Sequence, residues 1–127
     1  MQEVIIFIIA FTLPFFFYRI ASFVIRGTFN RAFKIKNGMQ IHHLHYGLVL
    51  IFVGTIILLF FGRNFWVIIF LGYGLGLAFD EFIGSLRLPE YRPLGLEIYK
   101  KAFKPTLALF LIVSLLLLGT ALMYFYK

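Results

Sequence analysis

Three histidines and two adjacent carboxylates are the residues of this chain best suited to chemistry. His42, His43 and His45 open one apolar block in the run I-H-H-L-H-Y-G, and Asp80 and Glu81 lie near the end of the next block. Imidazoles and carboxylates are ligands for zinc, iron and manganese. A histidine that titrates near neutrality beside a carboxylate is equally an acid-base pair or a proton relay. These residue types therefore predict either a divalent-metal site or a site that handles protons.

The spacing of these residues does not choose between the two chemistries. H-H-x-H differs from the H-E-x-x-H metalloprotease motif, and the chain has no cysteine to add thiolate ligands. A purely structural interpretation also stays open. In it, the histidines contact lipid headgroups or cap a helix, and the two carboxylates pair with Arg87 or with an arginine of the first polar connector, Arg26–His45.

The elements that hold these residues are membrane-spanning helices. Of the 127 residues, 62% are hydrophobic and 13% are charged, about half the charged fraction of ordinary soluble domains. The apolar residues come in blocks that are too long and too continuous for amphipathic core helices. The chain is therefore predicted to be all-α, a polytopic membrane protein with about four transmembrane helices in an up-down bundle. The single transmembrane domain, 1–127, has predicted spans at about 4–25, 43–61, 65–86 and 106–125.

The basic residues predict the orientation of the spans. Four lysines and arginines lie in the first long connector and five in the second, against only Arg63 in the short turn and Lys127 at the end. By the positive-inside rule both long connectors are cytoplasmic and both termini lie on the opposite side. The net charge of +7 is thus spread over connectors and not over one helical face. It predicts contact with membrane lipids and their anionic headgroups, and no nucleic-acid partner.

The turn between spans two and three brings the candidate residues to one depth. His45 precedes Arg63 by 18 positions and Glu81 follows it by 18, so the two groups face each other in an antiparallel hairpin near the cytoplasmic boundary. Asp80 shares a helical face with glycines at 72, 76 and 84, where a neighbouring helix can approach closely, so Asp80 should point into the bundle. Either His42 and His45 meet Asp80, or His43 meets Glu81.

Two further expectations concern single segments. Arg19 lies about two turns from the end of the first span, close enough to snorkel to the interface. The residues after Pro93 predict a short interfacial helix that is separate from the fourth span.

The two motifs resemble those of a known group. I-H-H-L-H-Y-G opening one span, with G-L-A-F-D-E-F closing the next, is similar to an uncharacterised group of small prokaryotic multi-spanning membrane proteins with paired I-H-H and D-E-F motifs. The resemblance covers about a third of the chain, and its matching positions are His42, His43, Gly47, Asp80, Glu81 and Phe82. It implies that the His-His and Asp-Glu pairs act together in a prokaryotic cytoplasmic membrane. His45 lies outside the shared pattern, and the group brings no established activity.

Two functions from different classes follow from these observations. In the first, His42, His43, His45, Asp80 and Glu81 bind a divalent metal (zinc, iron or manganese) at a cytoplasm-facing site that acts on a lipid or another amphiphile. In the second, the chain is a homo-oligomeric channel, transporter or complex subunit in which the same residues gate protons or ions. Whether the protein is an enzyme is left open by the sequence.

Overall fold

Four long helices make up most of the described chain. The computed structural model describes the backbone of residues 1–24, 33–34, 40–41, 43–86 and 96–126, and the side chains of residues 1–20, 43–83 and 101–126. The helices are α1 (Gln2–Val24), α2 (His43–Phe61), α3 (Phe65–Leu86) and α4 (Leu96–Phe125). Between α1 and α2, strand β1 (Phe33–Lys34) pairs antiparallel with strand β2 (Gln40–Ile41), a ladder that the sequence did not predict.

Each helix contains a stretch suited to a bilayer. Within the described residues, four stretches are long and apolar enough to cross a membrane: Gln2–Ile20, His43–Phe61, Phe65–Ile83 and Lys101–Phe125. A bilayer core has no water to pair with backbone N–H and C=O groups, so a spanning segment satisfies them internally as a helix. Many of the large side chains that point outward are apolar, such as Leu59, Phe60 and Leu115. The prediction of an all-α chain with four such helices is confirmed.

The turn between α2 and α3 follows from its three residues. Gly62 adopts a positive φ of 72° and its N–H donates to the carbonyl of Leu58, which ends α2. Asn64 then caps α3, because its side-chain oxygen accepts from the N–H of Val67 at 3.1 Å. A turn this short makes α2 and α3 antiparallel neighbours, as the sequence predicted.

Helix α3 lies at the centre and packs on α1 and α2 through two different glycine faces. A Cβ on Gly76 would fall on the carbonyl oxygen of Phe11 in α1, and one on Gly72 would lie 3.0 Å from Ala10. On the other side, a Cβ on Gly74 would lie 2.9 Å from the carbonyl oxygen of Gly47 in α2. The predicted glycine face of α3 is therefore the contact with α1, and it allows the two backbones to approach closely.

Helix α4 packs against α1 and α3 through aromatic residues. Phe11, Phe15 and Phe110 form the buried cluster, and the ring centroids of Phe11 and Phe110 are 4.6 Å apart. Helix α4 is continuous from Leu96 through Pro105. The expectation of a separate interfacial helix is therefore wrong: proline removes one backbone donor from the helix without ending it.

Candidate functional site

Four titratable side chains gather at one end of the bundle. Helices α1 and α3 arrive at this end, and α2 and α4 start from it. Arg19, His43, Asp80 and Glu81 all lie here, whereas the opposite end carries the exposed ion pair between Glu3 and Arg63. The pair of Arg19 and Asp80 joins α1 to α3, and the pair of His43 and Glu81 joins α2 to α3.

Arg19 and Asp80 form a buried ion pair. The Nε of Arg19 donates to Oδ1 of Asp80 at 3.0 Å, with the two side chains 3% and 0% exposed. The Nη2 of Arg19 also donates to the main-chain carbonyl of Asp80 at 3.3 Å and to the hydroxyl of Thr106 in α4 at 3.5 Å. One guanidinium thus links three helices. Because neither charge is tolerable alone in an apolar interior, each makes the burial of the other possible.

The position of Arg19 corrects one expectation from the sequence. It is 2% exposed, and its guanidinium carbon lies 5.6 Å from the centre of the Phe15 ring. The side chain is therefore directed inward and does not snorkel to the interface. Asp80 points into the bundle, as its place on the glycine face predicted, and its other oxygen, Oδ2, has no hydrogen-bond partner among the described residues.

Glu81 turns toward α2, about 100° around α3 from Asp80. Its Oε2 accepts from the backbone N–H of Leu44 at 3.1 Å, and its Oε1 lies 3.9 Å from Nδ1 of His43. Leu44 is in the first turn of α2, where backbone donors have no partner within the helix. Glu81 therefore caps α2 from a neighbouring helix, and its negative charge suits the positive end of the helix dipole.

His43 is held from a second side by α1. The rings of Tyr18 and His43 lie against each other, with their centroids 3.9 Å apart and their planes tilted by 34°. The imidazole is 23% exposed and the Glu81 side chain 13%, while Nδ1 of His43 is itself buried, so the pair is only partly in contact with solvent.

The structure brings together some of the predicted site residues and separates others. His43 meets Glu81, which is one of the two pairings that the hairpin predicted. Asp80 pairs with Arg19, and His45 is exposed about 200° around α2 from His43. His42 lies outside the described residues. Within the described ranges, no three histidine, aspartate or glutamate side chains are grouped so that they hold one metal ion.

Sequence reasoning missed Tyr18 and Thr106 and gave Arg19 the wrong role. A usable signal was present for Arg19, because Asp80 is an acidic residue within a span and needs a partner of opposite charge at the same depth. No comparable signal marks Tyr18, since one tyrosine near a span end is typical of an interface anchor.

Comparison of the chain with protein-family models, with curated proteins and with solved structures found no match.

Proposed function

We propose that this integral membrane protein binds one divalent cation at the end of α2 and α3, and that the bound ion acts on the polar part of a lipid or another amphiphile. Six of the twelve basic residues lie in the two connectors at this end, and three more, Lys100, Lys101 and Lys104, lie near the start of α4. The positive-inside rule then makes it the cytoplasmic end, in a membrane that the motif resemblance assigns to a prokaryote.

The proposal rests on one observation, the approach of His43 Nδ1 and Glu81 Oε1 to 3.9 Å from two different helices. This separation is too long for a hydrogen bond. Nitrogen and oxygen ligands lie about 2.0–2.2 Å from zinc, so two ligands of one ion are about 3–4 Å apart. Both groups are anchored: His43 by Tyr18, and Glu81 by the N–H of Leu44.

The remaining ligands must come from nearby residues. His42 directly precedes His43 and is the natural third ligand in this proposal. We assign neither Asp80 nor His45 to the ligand set, because Asp80 is engaged with Arg19 and His45 faces away from His43. Zinc fits a set of two imidazoles and one carboxylate best, and iron or manganese would be acceptable alternatives.

The chemistry of the site would be divided between the ion and the protein. A divalent cation with an open position supplies a Lewis acid and an activated water. The protein residues would hold the ion and keep its ligands in place: Glu81 fixes the start of α2, and Tyr18 fixes the plane of the His43 imidazole. The site lies where the spans meet the headgroup region, so a lipid or an amphiphile is the substrate class within reach.

Equilibrium binding of zinc to the detergent-purified protein tests this proposal. We expect about one ion per chain for the wild type, and a loss of affinity of about tenfold or more in His43→Ala and in Glu81→Gln. His45→Ala is the matched control and should bind as the wild type does. Absence of stoichiometric binding, or equal binding by His43→Ala, would overturn the proposal.

The ion pair within the spans favours a second candidate. Ionisable groups inside membrane spans often mark the path of protons or ions. A homo-oligomeric channel, transporter or complex subunit would use Arg19, Asp80 and the His43–Glu81 pair in this way. Flux measurements in proteoliposomes distinguish it: proton or ion flux in the wild type that is lost in Asp80→Asn supports this class, and no flux at all opposes it.

A further inference from the structure

We propose that Arg19 and Asp80 are positioning residues for His43, so that the buried ion pair sets the geometry of the neighbouring pair. The inference deepens the proposed function, because His43 is a ligand in it. Two pairs of consecutive residues, one pair in α1 and one in α3, connect the two sites. Tyr18 and Arg19 are consecutive in α1, and Asp80 and Glu81 are consecutive in α3. Each helix therefore gives one residue to the ion pair and the next residue to the contacts around His43.

Arg19 fixes α1 against α3 in both depth and rotation. Its Nε donates to the Asp80 carboxylate and its Nη2 to the Asp80 main-chain carbonyl, at 3.0 and 3.3 Å. The second bond is to the main-chain carbonyl of Asp80, so it holds the backbone of α3 whatever rotamer the Asp80 side chain adopts. Because the guanidinium is a rigid planar fork, two such bonds define one relative position of the two helices.

The centre of the described interface between α1 and α3 is apolar. It consists of Gly72 and Gly76 against Ala10, Phe11 and Pro14. The glycine face allows close approach, and Phe11 also meets the Phe79 ring of α3, but these apolar contacts are non-directional. A buried polar pair is a known way to specify register between helices that would otherwise slide.

The position of α1 decides where the Tyr18 ring lies. Tyr18 covers one face of the His43 imidazole at 3.9 Å, while the Glu81 carboxylate faces the Nδ1 edge of that ring. A shift of α1 against α3 would move the Tyr18 ring off this face of the imidazole and weaken the restraint on its plane. The ion pair would thus act on His43 through Tyr18.

The test uses cation-free protein and the proton resonances of its histidines. A proton above the face of an aromatic ring is shifted upfield, so His43 should carry such a shift from Tyr18. The resonance is assigned by its loss in His43→Ala. Tyr18→Leu defines the value without the ring, and Tyr18→Phe, which keeps the ring, should retain the wild-type shift.

The decisive variant is the double substitution Arg19→Met with Asp80→Leu. Replacement of a buried ion pair by apolar residues of similar size is often neutral for stability, so we expect a folded protein. Its His43 resonance should move more than halfway toward the Tyr18→Leu value, and its zinc affinity should fall about tenfold. A folded double variant with the wild-type shift would overturn the inference.

Two further variants keep the test decisive. Arg19→Lys replaces the double variant if the latter does not fold, because lysine keeps the charge but lacks the planar fork. A wild-type shift of the His43 resonance in Arg19→Lys would equally overturn the inference. Arg63→Gln, which breaks the exposed pair at the other end, is the control and should change nothing. The shift is measured without a cation, so it decides the positioning role even if the wild type proves to bind no zinc.

Discussion

Breaking the ion pair between Arg19 and Asp80 from one side should be far more costly than removing both partners. At the observed separation of 3.0 Å, opposite unit charges attract by about 5 kcal/mol if the effective dielectric constant is about 20. Loss of one partner leaves the other charge buried, and such changes cost about 3–5 kcal/mol. We therefore expect Asp80→Leu and Arg19→Met each to lower the free energy of unfolding by that amount.

The double variant should recover most of this loss, because it contains no buried charge. The free energies are measured by reversible unfolding in mixed micelles with increasing SDS, and the four proteins form a double-mutant cycle. The pair of Glu3 and Arg63 is the control: its side chains are 50% and 72% exposed, and its removal should cost about 1 kcal/mol or less. A coupling energy near zero for Arg19 and Asp80 would refute the reasoning.

Three further predictions concern packing, capping and orientation. Gly76→Ala should destabilise the protein by about 1–3 kcal/mol in the same unfolding assay, because its Cβ meets the carbonyl of Phe11; Gly119→Ala, with open space around it, should not destabilise, and equal losses would contradict this. Glu81→Ala removes the acceptor for the N–H of Leu44 and should lower the free energy of unfolding by about 0.5–2 kcal/mol. The amide of Leu44 should then exchange faster in Glu81→Ala but at the wild-type rate in Glu81→Gln, and unchanged exchange in Glu81→Ala would argue against the cap. In this cysteine-free chain, a membrane-impermeant thiol reagent should label Asn37→Cys from the cytoplasmic side and Arg63→Cys from the other side; the reverse pattern would contradict the orientation.

The fold was largely predictable because the hydropathy and the length of each apolar block are properties of the local sequence. The second and third predicted spans coincide with α2 and α3, and the first differs from α1 by a residue or two at each end. The fourth prediction was wrong at its start, since the span predicted from about 106 lies within α4, which begins at Leu96 and continues through Pro105. A proline removes one hydrogen bond, and whether a helix continues past it depends on packing that sequence alone does not show.

The candidate site was predictable only where the turn fixed the geometry. The hairpin centred on Arg63 gives α2 and α3 a common register, so counting residues placed the histidines and carboxylates at one depth. The meeting of His43 with Glu81 is one of the two pairings that this count left open. The partner of Asp80 did not follow, because α1 is joined to α2 by a long connector that sets no register against α3. Which helix packs on the glycine face is decided by the fit of Ala10, Phe11 and Pro14 to Gly72 and Gly76.

An anomalous-scattering measurement on crystals grown with zinc tests the proposed cation site most directly. Data collected on either side of the zinc absorption edge should give one strong peak per chain, bonded to His43 and Glu81 at about 2.0–2.2 Å. His42 should be the third ligand, and Arg19 should remain on Asp80. A map with no peak between His43 and Glu81, or a peak on the exposed His45 alone, would contradict the proposed site.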